Sequence, residues 1–120
     1  MANKQTVELV SGYINKINVD KFTLELEGIK IRYKIEGITL ENISSLLLIL
    51  MEEVGKYKKL SGSDKKRLVI KIMGTFIDEL SSNDDTDLQK VLKQMVPPLI
   101  DGIIHVGKIK IFRKKICKCF

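Results

Sequence analysis

Tryptophan is missing from this 120-residue chain, and it has only one histidine, two prolines and two cysteines. Two cysteines cannot staple a small domain, so a disulfide framework is excluded as the source of stability. The prolines, Pro97 and Pro98, are adjacent, so there is no proline-rich linker and no low-complexity segment. Long hydrophobic runs are missing too. The longest, residues 46–51, is closed by Ser44 and Ser45 on one side and Glu52 and Glu53 on the other, far short of the ~18 residues that cross a bilayer. The start, Met1-Ala2-Asn3-Lys4-Gln5, has no apolar signal core, and Ala2 stands where myristoylation needs glycine. The expectation is a protein of a cytosol-like compartment. What is present is ordinary globular material, 44% hydrophobic and 30% charged, enough for one core and too apolar for disorder.

Charge is unevenly placed. Residues 1–107 hold 15 Lys and Arg against 15 Asp and Glu, so they sum to zero, and the net charge of +6 comes from Lys108, Lys110, Arg113, Lys114, Lys115 and Lys118. A neutral body with a cationic end suits attachment to phosphates, anionic lipid or an acidic partner, or else a solvated, solubilising tail. The organisation that follows is one domain over 1–107, with a β-rich part over 1–37 and a helical part over 38–107, and a basic, Cys-containing tail over 108–120.

Within the first part, Phe22, Leu24 and Leu26 alternate with polar residues, and Ile29, Ile31, Tyr33 and Ile35 alternate again after Glu27-Gly28. The pattern predicts a β-hairpin over residues 21–35, with Leu24 facing Ile31 and Glu25 facing Lys30. Residues 5–19 carry a helical stripe of Val7, Val10, Ile14 and Ile17, interrupted by Ser11-Gly12. The β-branched residues around that interruption and the β-rich neighbour favour short strands of a meander.

From Thr39 the period becomes helical. Leu40, Ile43, Leu47, Leu50, Val54 and Tyr57 form a seam widened by Leu46 and Met51. Leu46, Leu48 and Ile49 add apolar area around it, so this helix is either central in its own domain or a surface for a partner. Gly62 closes the segment, Ser63 can cap a second helix, and Val69, Ile72, Met73, Phe76, Ile77 and Leu80 give its buried face. Thr86 and Gln89 have capping-box spacing for a third helix that buries Leu88, Val91, Leu92 and Met95. Pro97-Pro98 then predicts a new start, with a short fourth helix to Val106 on Leu99, Ile100, Ile103 and Ile104, ended by Gly107. Residues 108–112 alternate as a short edge strand would. The fold class expected is therefore α+β.

Chemistry-bearing motifs are few. There is no phosphate-cradling Gly-Lys-Ser/Thr loop, no Gly-x-Ser-x-Gly elbow and no Gly-x-Gly-x-x-Gly fingerprint. His105 falls near a helix end with no nucleophile beside it in sequence, which suits a surface position. Asp84, Asp85 and Asp87 resemble a calcium loop only superficially, because Leu88 and Lys90 stand where ligands are needed, and they fit the acidic start of a helix instead. Cys117-x-Cys119 lacks the further ligands of a structural zinc site. Beside four cations these thiols are candidate lipidation positions, although Lys118 and Cys119 suit a prenylation box poorly, and unmodified thiols are the other reading. No catalytic residue, metal site, cofactor or small-molecule substrate is expected.

Lys58-Lys59-Leu60-Ser61-Gly62-Ser63-Asp64-Lys65-Lys66, Val96-Pro97-Pro98-Leu99-Ile100-Asp101 and Gly107-Lys108-Ile109-Lys110-Ile111, with the cysteines that follow, resemble small uncharacterised helical proteins of nucleocytoplasmic large DNA viruses. The resemblance covers about half the chain and carries over no functional residue. It implies a viral accessory or virion-associated protein, in the host cytoplasm or the virion, and no reaction. The function expected is non-enzymatic: a helical body that binds a protein partner or another copy of itself, and a tail whose cations contact an anionic membrane. The alternative is an accessory nucleic-acid binder using the same tail on phosphates.

Overall fold

The computed structural model describes residues 4–80 and 86–107, and every regular element in them is a helix. Helix α1 is Lys4–Leu9, followed by a single 3-10 turn at Ile14–Lys16. Helix α2 is Val19–Tyr33, α3 is Ile43–Gly55, α4 is Gly62–Leu80 and α5 is Thr86–Gly107. The expected α+β class is wrong: no strand occurs among the described residues.

The hairpin over residues 21–35 is replaced by α2, and the reason lies in two competing periods. Phe22, Leu26, Ile29 and Tyr33, spaced 4, 3 and 4, are the buried set, while Leu24, Ile31 and Ile35 are left in solvent. Alternation put both sets on one sheet face; the helical period splits them onto opposite sides of a cylinder. Asn18 starts the helix, its side-chain oxygen accepting from the Lys21 N–H at 3.1 Å. Gly28, read as a hairpin turn, lies inside α2, where a Cβ would meet open space. The strands expected over residues 5–19 are likewise helical turns. Ser11-Gly12 does interrupt the stripe, but between α1 and the 3-10 turn, with the Ser11 N–H donating to Glu8 O at 3.3 Å and that of Tyr13 to Val10 O at 2.7 Å. Leu9, Val10 and Ile17 reach the core from this segment.

Helix α4 is the hub, packing against α1, α2, α3 and α5, while α3 also touches α5. The molecule is flattened, its principal extents being 39 × 35 × 21 Å. Ile43, Leu46, Leu47, Leu50 and Val54 of α3 have no exposed surface, nor do Leu68, Val69, Ile72, Met73 and Ile77 of α4. Truncating one such leucine to alanine is on the scale of ~2–5 kcal/mol.

Three boundaries differ from expectation. Helix α3 is shorter than the Leu40 to Tyr57 seam, and Leu40, expected within it, precedes the helix and is 53% exposed. Gly62 opens α4 instead of closing the preceding segment, and the cap is Ser61, not Ser63, its hydroxyl accepting from the Asp64 N–H at 3.1 Å. The expected break at Pro97-Pro98 does not occur, and α5 runs through both prolines to Gly107. The missing amide donors would have served the carbonyls of Lys93 and Gln94, both exposed residues. Leu92, Val96 and Ile100, spaced 4 and 4 across the prolines, are all buried, and that packing holds the helix together, whereas Val91, expected on the buried face, is 45% exposed because the 4-residue spacing turns it away from the core. The acidic positions 84 and 85, and the strand expected over 108–112, lie outside the described residues.

Candidate functional site

The predicted contact residues Lys108, Lys110, Arg113, Lys114, Lys115 and Lys118, and the thiols of Cys117 and Cys119, also lie outside the described residues. The histidine does not: His105 is exposed in the last turn of α5. Asp87 is exposed in the first turn of α5, as its helix-start reading requires. Among the described residues no three His, Cys, Asp or Glu groups converge as metal ligands would, and no helix is long and apolar enough to cross a membrane.

What the helices do bring together is a set of lysines from two distant parts of the sequence. An open cleft of about 460 Å³ is lined by Asn15, Lys16, Ile17 and Asn18 from the approach to α2, and by Lys56, Tyr57, Lys58 and Lys59 from the α3–α4 connection. None of the eight lining residues is acidic. The local reason is visible in Lys56-Tyr57-Lys58-Lys59-Leu60. Leu60 is buried and Tyr57 half-buried, so the connection is anchored at these two points and its three lysines are turned outward. The Tyr57 N–H donates to Val54 O at 3.1 Å, and that of Leu60 to Tyr57 O at 3.0 Å, which fixes the turn.

Phe22 locks the two walls to each other. Its ring meets the Tyr57 ring edge-on, centroids 5.4 Å apart at 84°, tying the first turn of α2 to the α3–α4 connection. Asn18, the cap of α2, stands on the cleft rim, so the positive end of that helix dipole adds to the lysines' field.

Acids stand behind the cleft and not in it. Glu53 accepts from Lys56 Nζ at 2.9 Å, and this hydrogen bond, against some loss of hydration, holds the Lys56 ammonium above its ordinary pKa. Burial pushes the Tyr57 phenol up, and the nearby Glu53 and Glu25 carboxylates push it further, so the ring presents a neutral O–H. Lys16, Lys58 and Lys59 are exposed. The arrangement offers three solvated ammonium groups, a fourth held by Glu53, a phenol and two amides: donors that recognise oxyanions.

Sequence reading missed this cluster because it counted charge along the chain. The body sums to zero, and only the fold shows that Lys16 joins Lys56, Lys58 and Lys59, forty residues away. The Lys-Tyr-Lys-Lys run was the one available signal. The α3 surface considered for a partner is instead covered from within the domain: Leu46 is fully buried, Ile49 packs against the core, and only Leu48 keeps about a third of its surface.

Compared with protein-family models, curated proteins and solved structures, the chain matches none.

Proposed function

We propose that the protein works by binding, and that its lysine cleft docks it on an anionic membrane surface. The observation that carries this reading is the convergence of Lys16, Lys56, Lys58 and Lys59 around Tyr57 in one open cleft with no acid in its lining. An open cleft of flexible ammonium groups suits headgroup phosphates and carboxylates presented by a surface, where each lysine contributes about 1 kcal/mol. With Lys56 held by Glu53, the three solvated lysines reach only about 3 kcal/mol, weaker than a millimolar interaction. The six cations of residues 108–120 are the second element that stable attachment needs, either alone or with acylated Cys117 or Cys119. In the viral setting implied by the resemblance, the surface would be a virion or host membrane.

Vesicle flotation tests the proposal. The full chain is expected to float with phosphatidylserine-containing vesicles and not with pure phosphatidylcholine, and to be released as salt rises and the Debye length shrinks. Lys58→Glu/Lys59→Glu is expected to lower the bound fraction about tenfold, since it removes two attractions and adds two repulsions. Binding unchanged in that variant would overturn the role of the cleft. Retention on duplex DNA near ~150 mM salt, with no flotation, would replace the membrane by nucleic acid.

A further inference from the structure

Beyond that docking, we infer that α2 pairs antiparallel with the α2 of a second copy of this chain. The helix has two apolar faces. Phe22, Leu26, Ile29 and Tyr33 are covered by the domain; Leu24, Gly28, Ile31 and Ile35 repeat the same spacing of 4, 3 and 4 on the opposite side. Leu24 is 66% exposed, Ile31 68% and Ile35, just past the helix end, 98%, the three largest exposures of any apolar side chain described. Gly28 sits mid-stripe, and a Cβ there would meet nothing of its own domain within 4 Å. Among the described residues its missing side chain therefore serves no contact, and it opens a gap where another helix can approach closely.

Charge selects the occupant. Asp20, Glu25 and Glu27 fall in the first half of α2, and Lys30, Arg32 and Lys34 in the second half or at its cap, with Lys21 the one departure. When Leu24 of one copy lies against Ile35 of the other, Gly28 lies against Ile31, and Glu25 comes alongside Arg32. Two-fold symmetry makes each of these contacts twice. A parallel, in-register pair would set Asp20 of one copy beside Glu25 of the other, a like-charge contact, and keep only Glu27 beside Arg32 as an opposite pair. The helix is thus complementary to its own reverse. Because Asn18 of the lysine cleft caps α2, antiparallel pairing puts the two clefts at opposite ends of the helix pair.

One short helix face buries less than the ~800 Å² per partner of a stable complex, so the dimer is weak, with a dissociation constant on the order of 100 µM. Sedimentation equilibrium of the full chain from about 10 µM to about 1 mM is the test. A monomer–dimer equilibrium is expected. Ile31→Asp should abolish it without moving the thermal melt, because the side chain touches solvent in the monomer. Glu25→Arg or Arg32→Glu alone should weaken the dimer about fivefold, each change placing two like-charge pairs in the interface. The double variant Glu25→Arg/Arg32→Glu, which restores opposite charges only in the antiparallel arrangement, should return to within about twofold of the natural chain. A full chain that stays monomeric to about 1 mM overturns the inference, whether its own tail or an unrelated protein covers the face. Dimerisation unaffected by Ile31→Asp, or a double variant no better than the singles, overturns it as well.

Discussion

Gly37 joins α2 to α3 with φ at 74°, and a Cβ placed on it would lie 2.7 Å from the Leu80 carbonyl oxygen. That oxygen accepts from the Ile38 N–H at 3.2 Å, and Gly37 O accepts from Asn42 Nδ2 at 2.8 Å. Asn42 and Thr39 cap each other's amides in turn, Thr39 N–H to Asn42 Oδ1 at 2.8 Å and Asn42 N–H to Thr39 Oγ1 at 3.3 Å. Both the left-handed backbone and the clash are with main chain, so Gly37→Ala should cost about 2–3 kcal/mol in urea unfolding. A loss within error would show that the junction relaxes. Tyr57 offers a second residue-level test. Its folded pKa lies above 10.0 because burial, then Glu53 and Glu25, disfavour the phenolate. The unfolded chain therefore releases this proton first, and the phenol's contribution to stability is complete below pH 10 and lost as pH rises through the folded pKa. The difference in tyrosinate absorbance between the natural chain and Tyr57→Phe should show a midpoint above 10.0, and a midpoint at or below it would contradict the buried setting.

At the scale of the element, α5 and α2 show opposite outcomes of local preference against packing. α5 keeps two adjacent interior prolines because Leu92, Val96 and Ile100 dock it on the hub. Pro98 is exposed, so replacing it removes no core contact and restores a donor for the Gln94 carbonyl. Pro98→Ala should therefore raise stability by about 1–2 kcal/mol, the helix-interior cost of proline offset in part by the freer unfolded chain. No gain in thermal melts would mean that the helix is already adapted to the prolines. In α2, no strong breaker or former decided the matter. Its sequence satisfied period 2 and period 3.6 at once, and the same three residues, Leu24, Ile31 and Ile35, that made the strand reading attractive are the ones left outside the core.

For the whole molecule, charge neutrality of the body conceals a polar arrangement. Lysine–carboxylate pairs link neighbouring helices, Lys30 to Glu79 at 2.8 Å, Lys66 to Asp101 at 2.7 Å and Lys93 to Asp78 at 2.6 Å. All three are partly solvated and worth at most about 1 kcal/mol each, so they orient the helices more than they stabilise them. Carboxylates spent along α4 and α5 are not available at the other end of α2, where the lysine cleft opens. The predicted flotation and its loss in Lys58→Glu/Lys59→Glu belong to this scale, because no single lysine is strong enough to carry attachment.

Much of the helical half was determined by the sequence itself. The seam of α4, and that of α3 from Ile43 to Val54, follow from a 3.6-residue period with no competing pattern, since a helix that must bury one face writes that face into its spacing. The tertiary structure decided what periodicity leaves degenerate. Whether α2 is helix or hairpin depended on which apolar set the rest of the domain could cover: with α1 and α4 both packed against α2, the 22, 26, 29, 33 face of a cylinder is buried, where a sheet would have needed partner strands that no described segment supplies. The prolines of α5 were overruled by burial on both sides of them. The lysine cleft was invisible because proximity between Lys16 and Lys58 is created only when Phe22 seats against Tyr57. Local spacing encodes which face of each helix is buried; which faces remain uncovered, and which charges meet, are properties of packing alone.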